Sequence, residues 1–112
     1  MSFLDLPSYI NDAMCALSDK EYYETNAIMT EAQPLINAAE SRIKYLADCI
    51  KTWAGCIKEN GLTDKTENYA DFLNDDNKEL QKVIDVLVEV NDFKLRLRDD
   101  TGYQNYQQKA AA

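Results

Sequence analysis

Carboxylates are the side chains whose number and spacing in this sequence suggest chemistry. Glu21 and Glu24 stand three apart, as do Glu89 and Asp92, and that spacing places each pair on one face of a helix. Two such pairs on facing helices would offer hard oxygen donors of the kind Mg²⁺ prefers, and Mg²⁺ held that way can grip nucleotide phosphates. Little else is available. The chain contains no histidine, which removes Ser-His and Cys-His nucleophile pairs, HExxH zinc sites and the Glu-x-x-His ligands of di-iron bundles. Gly55, Gly61 and Gly102 lie too far apart to form a phosphate-binding loop.

In its paired acids the chain resembles the all-α nucleotide pyrophosphohydrolases, whose E-x-x-E and E-x-x-D pairs present Mg²⁺ to a nucleotide. The resemblance implies Glu21, Glu24, Glu89 and Asp92 as metal ligands of a Mg²⁺-dependent hydrolase. It departs from that pattern in the longer stretch between the pairs, and in Lys82, which stands where a glutamate should precede Asp85-Val86-Leu87. A chain with 20 acids produces spaced pairs by chance, so a solvated face is the preferred reading and the hydrolase the alternative. On the preferred reading the protein is not an enzyme and needs no cofactor or metal.

Three surface features compete with the carboxylate pairs. From Glu59 to Glu79 seven carboxylates meet two lysines, and Asp71, Asp75 and Asp76 form the densest part. That run reads first as a solvated surface and second as a dock for a basic partner. A mimic of DNA phosphates comes third, because Lys65, Lys78 and Lys82 interrupt the acids. The seven tyrosines exceed what a small core needs, and Tyr22, Tyr23, Tyr45 and Tyr69 are candidates for an interface. Tyr22 and Tyr23 are adjacent and cannot both face inward on one helix. Lys44, Lys51 and Lys58 recur every seven residues as a column, a solvated edge or an anion site at an oligomer interface.

The elements that must position these residues are helical. Ile36, Ile43, Ile50 and Ile57 repeat every seven residues, with Ala39, Leu46 and Trp53 three after the first three of them. This spacing predicts a long central helix near 33–59, closed by Asn60-Gly61-Leu62 with Gly61 in the left-handed region and Leu62 folded back. Leu35, Cys49, Cys56, Ala47 and Ala54 widen its stripe beyond a two-residue seam, which favours neighbours on two sides over a dimeric coiled coil. Before it, Phe3 to Leu17 reads as an amphipathic helix with Pro7 in its first turn. Ser18 to Glu21 has the form of a capping box for a second helix through Met29, and Thr30 to Gln33 repeats the form ahead of Pro34, predicting a break near Thr30.

Beyond Gly61, residues 63–75 suggest one short helix or turn, and Asp76 with Glu79 suggests the start of the last element. Leu80, Val83, Val86, Leu87, Val90, Phe93 and Leu97 are spaced for a helix antiparallel to the central one. A β-hairpin near 84–98 rivals it, since apolar and polar residues alternate about Asn91-Asp92. The helix is preferred because a lone hairpin is marginal in an otherwise helical chain. Tyr103 to Lys109 reads as a loose tail, and Ala110 to Ala112 as an appended remnant outside the fold.

The expected fold is therefore all-α, an antiparallel bundle of about four helices in one domain over residues 1–109, with α+β as the alternative. A formal net charge of −8 disfavours direct binding to nucleic acid or an anionic membrane. With no run of some 18 apolar residues and no basic leader, a cytoplasmic protein is expected. Cys15, Cys49 and Cys56 are odd in number and lack a C-x-x-C, which indicates buried free thiols. The expected function is a small acidic interaction module of the adaptor, inhibitor or chaperone type. Its expected partners are another protein, basic in character, and further copies of itself.

Overall fold

The structure, a computed structural model, describes residues 2–64 and 66–111. Lys65 and Ala112, which figured in the acidic run and the appended remnant, lie outside the described residues. The described residues are all-α with no strand: a 3-10 turn at Phe3–Asp5, then α1 (Leu6–Ser18), α2 (Tyr22–Asn60), α3 (Glu67–Asp99) and α4 (Thr101–Ala111). The chain forms two compact units, and the two long helices contribute to both. One comprises Met1–Ala38 with Val86–Ala112, and the other Ala39–Asp85.

The first unit builds its core from α1, residues 22–38 of α2, the last part of α3, and α4. Leu6, Ile10, Ala13 and Leu17 form the buried stripe of α1, at the three- and four-residue steps that keep side chains on one helical face. Ala32 and Ile36 of α2 and Val90, Phe93 and Leu97 of α3 are buried as well. Ahead of α1, the Ser2 hydroxyl accepts from Leu4 N–H at 3.2 Å, while Asp5 accepts from the Ser2 amide at 3.3 Å. Pro7 occupies the first turn of α1, where a missing N–H costs nothing.

The Ser18 capping box does not form. α1 runs through Ser18 and reverses in a Schellman turn, with Lys20 at φ 58° and the amides of Glu21 and Lys20 donating to Ala16 and Leu17 carbonyls at 2.9 and 3.0 Å. Nor does the chain break near Thr30: α2 passes through Pro34. Proline removes the amide that would bond the Thr30 carbonyl, but both residues are exposed, so solvent can satisfy that group while Ala32 and Ile36 hold the opposite face in the core. Thr30 instead turns its hydroxyl back to the Asn26 carbonyl at 2.8 Å.

Residues 84–98 are helical, and no hairpin forms. The three- and four-residue spacing of Val83, Val90, Phe93 and Leu97 defines the buried side, whereas Val88 and Leu95, which lent the segment its alternation, stand on the exposed side. The expected loose tail is α4. Asp100 Oδ1 accepts the Tyr103 amide at 2.9 Å, Gln104 donates to the Leu97 carbonyl at 3.0 Å, and the Tyr103 ring is buried.

The second unit is a helical hairpin of α2 and α3. Its turn follows the predicted stop only in part. Gly61 takes φ 70° and donates to Ile57 at 2.7 Å, but Leu62 stays 74% exposed instead of folding back. Thr66, buried, closes the turn by accepting from Thr63 N–H at 2.8 Å and donating to the Gly61 carbonyl at 2.6 Å. α3 therefore begins a full two turns before Asp76, which lies inside the helix and caps nothing. Ala39, Leu46 and Val83 are the fully buried apolar residues here, and Ala47 and Ala54, expected on the buried stripe, are exposed.

Candidate interaction surface

The hairpin is pinned along one edge by polar and aromatic contacts. Arg42 and Glu79 form a two-pronged ion pair, with Nη2 donating to Oε1 at 2.9 Å and Nε donating to Oε2. The hydrogen bond from Arg42 holds the Glu79 carboxyl below its ordinary value, and the same bond raises the guanidinium. Trp53 lies further along, its ring 5.6 Å from Tyr69 in a near-parallel stack and 5.2 Å from Phe72. Its indole N–H donates to Asp76 Oδ2 at 2.9 Å. Arg42 also covers the Tyr45 ring at 5.0 Å, and a hydrogen bond with Cys49 is the main influence raising the Tyr45 hydroxyl.

The other edge of the hairpin lacks such cover. Ile43, Ile50 and Ile57 are only half-buried, and Ala47 and Ala54, one helical turn beyond the first two, are exposed. On α3 the apolar residues Ala70, Leu73, Leu80 and Ile84 are half-buried. A pair of helices covers one stripe on each, so an apolar stripe wider than the contact stays open on one side.

The tyrosines and acids fall in different surroundings. Tyr69 and Asp76 join Trp53, while Asp71 and Asp75 are solvated on α3. Tyr45 is 57% exposed and Tyr23 74% exposed, whereas Tyr22 packs against Tyr103 and Tyr106 with ring centroids 6.4 Å apart in each case. The adjacent pair thus splits between inside and outside, as adjacency on one helix requires. Lys44, Lys51 and Lys58 are exposed on α2. All three thiols are free, but Cys15 is exposed and Cys49 and Cys56 half-buried, so the expected burial does not hold.

No family model, curated protein or solved structure matches the chain.

The four carboxylates of the hydrolase reading are not gathered into one site. Glu21 and Glu24 line an open cavity of about 420 Å³ with Asp12, Asp19 and Glu31. Glu89 and Asp92 line another, of about 250 Å³, beside Ile10, Met14 and Phe93. Among the described residues no group of three or more acids or thiols is placed to hold a metal ion. No described helix is long and apolar enough to cross a membrane.

Sequence reasoning missed three groups. Arg42 and Glu79 are 37 residues apart, and only the antiparallel pairing of α2 with α3 brings them together. Asp76 looked like a cap because its own neighbours suggested one. Asn26 accepts from Tyr103 Oη at 3.1 Å, and Gln107 donates to that hydroxyl at 3.0 Å, tying α4 to α2. A polar residue one turn after a tyrosine, as Tyr22 and Asn26 are, carried no signal strong enough to find that network.

Proposed function

We propose that this chain is a small acidic, non-enzymatic protein interaction module of the adaptor, inhibitor or chaperone type, acting in the cytoplasm through its helical surfaces. One observation carries the reading: the incompletely covered apolar edge of the 39–85 hairpin, made of Ile43, Ala47, Ile50, Ala54 and Ile57 on α2. A monomer gains nothing from leaving that area in water, and a partner that covers it gains about 25 cal/mol for each Å² removed. Tyr23 and Tyr45, exposed beyond 50%, add rigid amphipathic contact area at other faces. The solvated acids Asp71 and Asp75 suit a basic partner by attraction that salt weakens.

Immobilised full-length protein tests this in the cytosol of its source, at low and at high salt. A bound protein, whether foreign or a further copy, that survives high salt and is lost in Ala54→Glu supports the apolar edge as the working surface. One lost at high salt and restored by dilution assigns the work to the acids. Absence of any bound protein at either salt, with no self-association at any concentration, refutes the proposal. Calorimetry with Mg²⁺ and nucleotides completes the test, since binding that Glu21→Gln abolishes would replace the module with the hydrolase.

A further inference from the structure

We propose that the cavity between α2, α3 and α4 in the first unit binds a small hydroxylated oxyanion, a sugar phosphate or sugar acid in class, with Lys94 and Arg98 holding its anionic head. The cavity measures about 420 Å³, within the range of small-molecule sites. Its lining departs from the rest of the chain. Acids outnumber lysine and arginine by 20 to 12 overall, yet among the described residues no carboxylate lines this cavity, and both of its charged side chains are cations. Lys94 and Arg98 stand four apart on one face of α3, where like charges repel and a bound anion relieves them. The C-terminal end of α3 favours a cation at Arg98 by itself, but Lys94 lies further back than the last turn. Lys94 has no ion pair among the described residues. Arg98 has one, with Asp99 at 3.5 Å, and with side chains 71% and 73% exposed that pair is worth little and easily given up.

The remaining side chains of the lining set the body of the ligand. Asn26, Gln33, Gln104 and Gln107 present amides, which donate and accept at once and so match hydroxyl groups, which do the same. One wall is already fixed. Tyr103, 3% exposed, donates from Oη to Asn26 Oδ1 at 3.1 Å and accepts from Gln107 Nε2 at 3.0 Å. That network occupies the Asn26 oxygen and leaves its amide N–H groups, so Asn26 adds donors to those of the two cations. Gln104 is held by its bond to the Leu97 carbonyl at 3.0 Å, which leaves its Oε1 to accept from a hydroxyl. A phosphate monoester carries a charge close to −2 at neutral pH, which two cations balance, and the Arg98 fork can take two of its oxygens. A nucleotide suits the cavity less well, because the aromatic of the lining, Tyr103, is buried and offers no open ring on which a base could stack.

The test is an NMR titration of the isotope-labelled full chain at low salt, with glucose 6-phosphate, gluconate, inorganic phosphate and glucose as probes. Glucose 6-phosphate is expected to shift the side-chain amide signals of Asn26, Gln104 and Gln107 saturably at millimolar concentration or below, and glucose, which lacks the charge, to shift none of them. Lys94→Gln and Arg98→Gln, both at exposed positions, should each weaken binding about tenfold with unchanged circular dichroism. Arg96→Gln removes the same charge from the same helix but lines a different cavity, and it should leave the affinity within about twofold. Gluconate bound more tightly than glucose 6-phosphate supports the inference and assigns the head as a carboxylate. Inorganic phosphate bound as tightly as glucose 6-phosphate overturns the hydroxylated body. Equal losses in Arg96→Gln and Arg98→Gln overturn the site, since attraction to overall charge then suffices, and the absence of a saturable shift with every probe overturns the inference outright.

Discussion

The contact between Trp53 and Asp76 allows a quantitative check of what holds the hairpin together. The indole N–H reaches Oδ2 at 2.9 Å, and hydrogen bonds to charged groups are worth about 1.5–3 kcal/mol net. Both residues are half-buried, which argues for less than the low end, about 1 kcal/mol. Trp53→Phe should cost about 2 kcal/mol, the bond plus about 1 kcal/mol for the smaller ring's lost contact with Tyr69 and Phe72. Asp76→Ala should cost only about 0.5 kcal/mol, because alanine recovers roughly half a kcal/mol of helix propensity. The double variant should cost about 1.5 kcal/mol, so the cycle returns a coupling near 1 kcal/mol free of propensity and ring size. Urea unfolding read by circular dichroism measures all four proteins. With a slope of about 1.5 kcal/mol/M, the coupling corresponds to about 0.7 M in midpoint. Trp53 is the single tryptophan, so its fluorescence reports the hairpin directly in the wild type and Asp76→Ala. Single variants whose costs simply add would refute the bond as a source of stability.

Lys20→Gly should raise stability by about 1 kcal/mol, since glycine takes the observed φ of 58° without the strain that a Cβ brings; in thermal unfolding this is about 4 °C. Lys20→Ala should bring no such gain, and equal effects of the two would reject the Schellman turn. Gly102→Ala should lose about 1 kcal/mol although alanine is the better helix former, because its Cβ would lie 2.7 Å from Cζ of Tyr22, a ring held by Tyr103 and Tyr106. In a Tyr22→Ala background the same change should stabilise, and a gain in both backgrounds would sink the steric account. Arg42 keeps the Glu79 carboxyl below its ordinary value, so the pair adds stability above the unfolded carboxyl range near pH 4.3 and loses it as pH falls through the lower folded value. The amount is about 0.5 kcal/mol, as the side chains are 39% and 40% exposed, and Glu79→Gln should flatten that part of the acid-stability curve; an unchanged slope would exclude the pair.

Apolar periodicity made the helices legible, and local signals misplaced their ends. Ile36 and Leu46 fell where the repeat put them because burial acts on every turn at once. Three serine-, threonine- or aspartate-led capping patterns, at Ser18, Thr30 and Asp76, all failed. Such a pattern needs only two residues, and in an acid-rich chain it recurs inside helices whose ends are set by packing. Pro34 misled for the same reason: its penalty is local and solvent can meet it, whereas ending α2 there would forfeit the burial of both Ala32 and Ile36. The candidate surface was half legible. The lysine column and the wide stripe were visible, but the stripe's exposure depends on how many helices reach it, which no local pattern records.

That dependence explains why one helix carries the same stripe in two states. Around residues 22–38, α1, α3 and α4 all supply neighbours: Tyr103 reaches Asn26, Leu97 lines a recess with Asn26 and Met29, and Tyr9 lines another with Pro34 and Leu35. There Ala32 and Ile36 are at most 2% exposed. In the 39–85 hairpin α2 packs on α3, and the residues aimed at it, Ala39 and Leu46, reach 0% while Ile43, Ile50 and Ile57 are only half-buried. An apolar repeat kept over the full length of α2 is unnecessary for a two-helix contact, which needs only the Leu46 row. Its persistence through Ile57 makes physical sense if the second side of that helix is covered too.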